Sequence, residues 1–317
     1  MVDSVDSNRG RVSVVGCGHV GATSAYALLM RGVAREVVLL DADMRRAEGE
    51  AMDLQQAAAL ARPVEVRAGD WSDAADSAVV VVAAGVGGRP GESRLDLLGR
   101  NVSVIRDVME KLMSRDFGGI LLMTTNPVDV LAQLAQESSE LPAARVIGSG
   151  TVLDSARLRT MLGRHLGVEP RSVHAHVVGE HGDSEIAAWS SARVAGVPLR
   201  EFCEGAGVEC PDFVELLRRV RRAAPDIIER KGYTSHAIAS CVARICEAVL
   251  RDEHSVLPVS TLLTGQYGIS DVYLSLPCVV GRAGVERVIE IPLDDAEREG
   301  LRASADLLRR TMDGVKL

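Results

Sequence analysis

Three glycines, spaced Gly16-x-Gly18-x-x-Gly21, stand between the apolar run Val12-Ser13-Val14-Val15 and the Ala- and Leu-rich stretch Val20 to Met30. A buried strand that runs into glycine and leaves as a helix allows this chain few folds. The turn must be tight, the backbone must approach closely whatever sits on it, and the first amides of the helix point at an anion. Glu36 to Leu40 reads as the next strand and ends at Asp41, 20 residues beyond Gly21. A carboxylate there is placed to take ribose hydroxyls while the glycines admit a pyrophosphate. It would repel a 2′-phosphate, so the pattern favours NAD over NADP, with Gly16, Gly18, Val20, Gly21 and Asp41 as the binding residues.

Further apolar runs at Ala78 to Ala84 and Gly119 to Thr124 each follow a plausible helix and stop at Gly, Pro or Asn. Strand and helix alternate through the first half, which predicts an α/β fold with a doubly wound parallel Rossmann sheet and right-handed crossovers. A chain of 317 residues exceeds the size at which one core stops growing, so two units are expected. The texture changes after Ile147-Gly148-Ser149-Gly150. We therefore expect an NAD-binding domain over 1–148 and a mixed α+β substrate domain over 149–317. Within the second, the pattern predicts a helix from Leu153 to Leu166, a strand from Val173 to Val178, and helices near 212–230 and 235–251. Pro225 is expected to start or kink a helical segment. The cluster Arg218, Arg219, Arg221, Arg222 alternates with Leu217 and Val220, as on a solvated helix face.

Composition matters here for what it excludes. With 44 acids against 36 bases the net charge is −8, which argues against a nucleic-acid or anionic-membrane surface. No apolar run approaches the length of a membrane span. The start, Met1 to Arg11, is polar and acidic and does not read as a secretory signal, so a cytoplasmic location is expected. Six scattered cysteines include no Cys-x-x-Cys pair, which points to reduced thiols and to neither a disulfide framework nor a zinc site.

The chemistry-bearing run is Gly179-Glu180-His181-Gly182-Asp183-Ser184. Imidazole titrates near neutrality, and a carboxylate beside it fixes its tautomer and stabilises its charged form. A histidine in a polar turn would show the same letters. In Leu153-Asp154-Ser155-Ala156-Arg157, the Asp154 and Arg157 positions share a helix face, an arrangement that elsewhere is an ordinary surface ion pair. Here one can buttress His181 while the other grips a carboxylate. The stretch Gly85 to Arg94 (GVGGRPGESR) is too glycine-rich for a packed element yet follows a buried strand. A lid there would carry Arg94 over a ligand at the carboxyl edge of the sheet.

In order, GCGHVG, RPGESRLDLLGRN, TTNPVDV, GSGTVLDSARLR, GEHGDSE and KGYTS resemble the L-lactate and malate dehydrogenase family, and within it the bacterial allosteric-type lactate enzymes. The resemblance covers nearly the whole chain. It implies an NAD-dependent L-2-hydroxy acid dehydrogenase in which His181 is the proton donor and acceptor, Asp154 its orienting partner, Arg157 the carboxylate clamp and Arg94 the lid arginine. Asn126 matches the asparagine near nicotinamide and substrate, Thr234 the pocket wall, and Ile238 the apolar contact of the nicotinamide ring. A non-catalytic nucleotide-binding relative would lack some of these letters.

The family's specificity position falls on Gly88. Lactate enzymes typically carry glutamine there and malate enzymes an arginine that pairs a second carboxylate. Glycine offers no charge, so oxaloacetate loses its pairing energy, and the expected reaction is reduction of pyruvate to L-lactate with tolerance of longer 2-oxo acids. Glu92 and Gly148-Ser149-Gly150-Thr151 lean the same way. Arg159 and His174 match the residues with which allosteric bacterial lactate dehydrogenases bind fructose 1,6-bisphosphate between subunits, which implies a homotetramer with an activator site. His174 and His176 would share a strand face, but no third ligand is apparent, and no metal site is expected.

Overall fold

The computed structural model describes residues 10–87 and 94–316, apart from the side chains of residues 94 to 96 and 316. The first half alternates strand and helix as its periodicity predicts: β1 (Arg11–Val15), α1 (His19–Arg31), β2 (Glu36–Leu40), α2 (Met44–Ala58), β3 (Glu65–Ala68), α3 (Trp71–Ala75), β4 (Val79–Val82), α4 (Arg94–Met113), β5 (Ile120–Met123), α5 (Val128–Ser139) and β6 (Val146–Gly148). These strands pair in parallel in the order β3-β2-β1-β4-β5-β6. The order reverses between β1 and β4, and a crevice opens there at the carboxyl ends of the strands.

The second half contributes α6 (Val152–Leu166), β7 (Val173–His174), β8 (Val177–Val178), β9 (Ile186–Ala187), β10 (Arg193–Val194), β11 (Val197–Pro198), α7 (Leu199–Ala206), α8 (Phe213–Lys231), α9 (His236–Leu250), β12 (Ser255–Thr264), β13 (Ser270–Gly281), β14 (Gly284–Val288) and α10 (Asp295–Lys316). The parallel sheet does not stop at β6. Antiparallel β12, β13 and β14 extend it to nine strands, joined where Ser260 of β12 lies opposite Gly148 of β6.

Residues of the central strands alternate between two cores, as period 2 requires of a sheet covered on both faces. Val79, Val81, Ile120 and Leu122 pack with α1, α2 and α9, whereas Val80, Val82, Leu121 and Met123 pack with α4, α5 and α10. A third cluster, outside the large sheet, gathers Leu158 and Leu162 of α6 with Val173, Val194, Leu199 and Val220.

Two sequence expectations are corrected. Val173 to Val178 is not one strand: β7 pairs with β10, β8 pairs with β9, and the ladder is interrupted between them at Ala175-His176. At the break, the Ala175 carbonyl accepts from Arg159 of α6 at 2.9 Å. His174 and His176 therefore do not share a strand face. Pro225 does not start a helix: α8 runs through it from an Asp212 cap whose side chain accepts from the Val214 and Glu215 amides.

Candidate active site

A cleft of about 560 Å³ lies over the reversal point, walled by Gly16, Gly18, Asp41, Met44, Trp71, Gly85, Val104 and Val108 among others. Its floor is shaped by glycine. Gly16 has φ +96°, and a Cβ there would stand 2.5 Å from the Ala84 amide nitrogen; a Cβ on Gly21 would stand 1.8 Å from the Gly16 carbonyl oxygen. At Gly18, the N-cap of α1, a Cβ would meet nothing within 4 Å, so the helix terminus is open to a ligand. Asp41 is fixed at the mouth: its carboxylate accepts from the Cys17 amide at 2.6 Å and the Asp43 amide at 2.9 Å. Close backbone, an open helix N-terminus, a fixed carboxylate and apolar walls fit a dinucleotide.

The loop after β8 is clamped from four sides. Gly179 exchanges backbone hydrogen bonds with Ser275 of β13 at 2.9 and 3.0 Å. Its φ is +98°, and a Cβ would press on Ser304 of α10 at 3.0 Å. The Ser304 hydroxyl accepts from the Glu180 amide at 2.7 Å, and Asp129 of α5 accepts from the His181 amide at 2.8 Å. From α6, Asp154 Oδ2 lies 2.6 Å from His181 Nδ1. A carboxylate only accepts, so Nδ1 carries the proton and Nε2 is left for substrate. Arg157 Nη1 donates to the other oxygen of Asp154 at 2.8 Å.

The Asp154 side chain is 3% exposed, Arg157 13% and His181 25%, so the carboxylate is enclosed and the imidazole faces outward. Desolvation by itself would favour neutral imidazole, but the charge and hydrogen bond of Asp154 outweigh it, with Asp129 and Glu185 adding, and push His181 up to about 9. For Asp154, burial opposes ionisation, and His181 and Arg157 override it, holding the carboxyl below its usual range. Burial pushes Asp129 up to about 6 against the pull of the Ser260 hydroxyl and the His181 amide. The constellation can deliver a proton from Nε2 and bind an anion beside it.

Asn126 follows β5 at the carboxyl edge of the sheet, and its carbonyl accepts from the Asn101 side chain at 3.1 Å. Asn101 also accepts from the Val86 amide at 2.8 Å, tying the loop after β4 to the loop after β5. Thr234 precedes α9 and Ile238 lies in its first turn, half-buried against the core under α1. Val20 is half-buried in the first turn of α1. Arg159 and His174 share no described hydrogen bond: Arg159 reaches Ala175 and His176 Nδ1, at 2.9 and 3.2 Å, while His174 is exposed on β7.

The lactate/malate dehydrogenase NAD-binding domain matches residues 10–148, and the α/β C-terminal domain of the same family matches residues 151–316. The chain belongs to the lactate/malate dehydrogenase family. It is 47% identical over 310 residues to the L-lactate dehydrogenase of Moorella thermoacetica, covering 97% of this chain and 98% of that one. Against the L-lactate dehydrogenase of Thermoanaerobacter pseudethanolicus the identity is 46% over 309 residues, covering 97% and 99%. The crystal structure of the minor L-lactate dehydrogenase from Enterococcus mundtii in its ligand-bound form superposes with a TM-score of 0.94 at 40% identity, covering 97% of this chain and 99% of that one.

Within this lactate/malate dehydrogenase, Gly88, Glu92 and the Arg94 side chain lie outside the described residues; Arg94 is the first residue of α4. Several site residues carry no distinguishing letter in the sequence. Asp129 reads as an ordinary first-turn acid of α5, and Ser304 as one of many helix serines. Tyr233 stacks on His19 at 3.8 Å with the rings 7° apart, bringing the loop that carries Thr234 against the glycine turn. Only the adjacency of aromatic letters to GCGHVG and KGYTS could have hinted at it. Among the described residues no helix is long and apolar enough to cross a membrane.

Proposed function

We propose that this protein is an L-lactate dehydrogenase that uses NAD to interconvert pyruvate and L-lactate. The observation that carries the reading is the buried Asp154 carboxylate bound at once to His181 Nδ1 and Arg157 Nη1. In its reduced form the bound nicotinamide supplies a hydride for the carbonyl carbon. His181 gives its Nε2 proton to the carbonyl oxygen, and Asp154 steadies the imidazolium before transfer and the tautomer after it. Arg157 takes the substrate carboxylate through its guanidinium. Arg94 polarises the carbonyl, Asn126 hydrogen-bonds near it, and Thr234 and Ile238 wall the pocket. Gly16, Gly18, Val20, Gly21 and Asp41 hold the dinucleotide.

Residues 1–148 then form the cofactor domain and 149–317 the substrate domain. Glycine at position 88 offers no charge of its own to a second substrate carboxylate. The same reading makes the enzyme a cytoplasmic homotetramer, with Arg159 and His174 offered to a sugar bisphosphate between subunits. Initial rates with NADH test the substrate preference: kcat/KM for pyruvate should exceed that for oxaloacetate by about 100-fold or more, the effect of one unanswered charge. A preference for oxaloacetate would overturn it. Unchanged activity and assembly on adding fructose 1,6-bisphosphate would remove the activator site.

A further inference from the structure

Glu185 closes the catalytic loop just before β9 and is only 2% exposed. One oxygen of Asp154, one nitrogen of His181 and one oxygen of Glu185 all lie within 4.8 Å of one another. Glu185 Oε1 is buried and finds no hydrogen-bond partner among the described residues. Its backbone carbonyl, not its side chain, is what Arg221 of α8 holds. Asp154 spends both of its oxygens, one on His181 Nδ1 and one on Arg157 Nη1. Glu185 leaves Oε1 unspent, as Asp129 leaves its Oδ1, and the Glu185 carboxyl stands beside both the imidazole and Asp154.

We propose that Glu185 is a positioning residue for the proton of His181: a second buried carboxyl beside the ring that Asp154 holds, whose negative charge, once formed, strengthens the imidazole's hold on its proton. This rests on the reading of His181 as the proton donor. The groups facing Glu185 are Asp154 and Arg157 from α6, His181 from its own loop and Arg221 from α8, with Asp129 of α5 behind the imidazole. Burial first, then the charge of Asp154, push the Glu185 carboxyl up to about 8, while His181, Arg221 and Arg157 pull the other way. At neutral pH it is therefore uncharged. It gives its proton to solvent just below the range in which His181 would lose its own. A negative charge arising there raises the proton affinity of the imidazole, so the two groups titrate as a pair. Positive charge for the three donors already comes from Arg157 and the imidazolium, which leaves no need for a cation among them.

The test is the pH profile of kcat/KM for pyruvate between pH 6 and 10.5 in wild type and in Glu185→Gln, which keeps the volume and cannot ionise. The alkaline limb should move down by about one pH unit in the variant, the size of shift that one nearby charge produces. Superimposed limbs would overturn the proposal, because a purely structural role alters amplitude without moving the limb. Should Glu185→Gln not fold, histidine-labelled nitrogen NMR of the wild type decides. The His181 ring signal should follow two steps between pH 7 and 10, and a single-step curve would overturn the proposal. If wild type turns over no pyruvate at all, the proposed function fails, and the NMR titration still judges Glu185 separately.

Discussion

The glycine turn after β1 and the glycine-flanked loop after β8 both cap a buried strand, yet they are held in different ways. The first is fixed by its neighbours in the βαβ unit: the Gly16 amide donates to the Leu40 carbonyl at 2.8 Å and the Cys17 amide to Asp41 at 2.6 Å. The second is fixed by side chains from remote elements. Asp154, Asp129 and Ser304 stand 27, 52 and 124 residues away from the loop positions they bind. Cofactor binding can therefore be built from local strand and helix geometry. Proton transfer needs an imidazole whose ring, backbone and charge are each set by a different part of the chain.

That contrast predicts which variants separate the two functions. The largest effect is expected for Asp154→Asn, which leaves a hydrogen-bonding shape beside His181 but removes the charge that holds its proton. Turnover should fall by roughly 100- to 10,000-fold, while NADH binding, read by fluorescence titration, stays within a few-fold. Equal loss of both would break the separation. Next comes Gly21→Ala, whose Cβ would meet the Gly16 carbonyl oxygen at 1.8 Å. Overpacking against backbone should cost about 1–3 kcal/mol of stability and weaken NADH binding, measured by denaturant unfolding and titration. The smallest is Asp129→Asn. Its amide oxygen still accepts from the His181 amide, so the loop keeps its place, and only one buried negative charge is lost. The alkaline limb of kcat/KM for pyruvate should move down by a few tenths of a pH unit with little change at neutral pH. A large loss at neutral pH would show that the loop, not the charge, depends on Asp129.

The same contrast explains what could be read from the letters. Val12 to Val15, Glu36 to Leu40 and the valines of β4 announce a parallel sheet because each strand is a short, continuous apolar run between helices. β12 and β13 do not, since Pro258 and Pro277 lie opposite each other in the register, as do Ser260 and Ser275, and these letters break the apolar run. The split of Val173 to Val178 is equally silent, because apolar and histidine letters alternate across the break from Val173 to Val177, and only Arg159, a residue of α6, meets the chain there. Asp154, Arg157 and His181 could be picked out by chemistry and by resemblance. Asp129, Glu185 and Ser304 could not, since their significance exists only once distant helices meet the loop.

On the proposed mechanism, proton transfer depends above all on a buried carboxylate, Asp154, that holds the His181 proton beyond the range of a free imidazole. The pH dependence of wild-type kcat/KM for pyruvate probes that hold without any substitution. A group raised in this way keeps its proton from acid through neutrality and loses it near the higher value, so pyruvate reduction should hold level through pH 7 and 8 and fall near 9, with lactate oxidation rising over the same range. A pyruvate profile that has already fallen by half near pH 6.5, where unperturbed imidazole titrates, would contradict it.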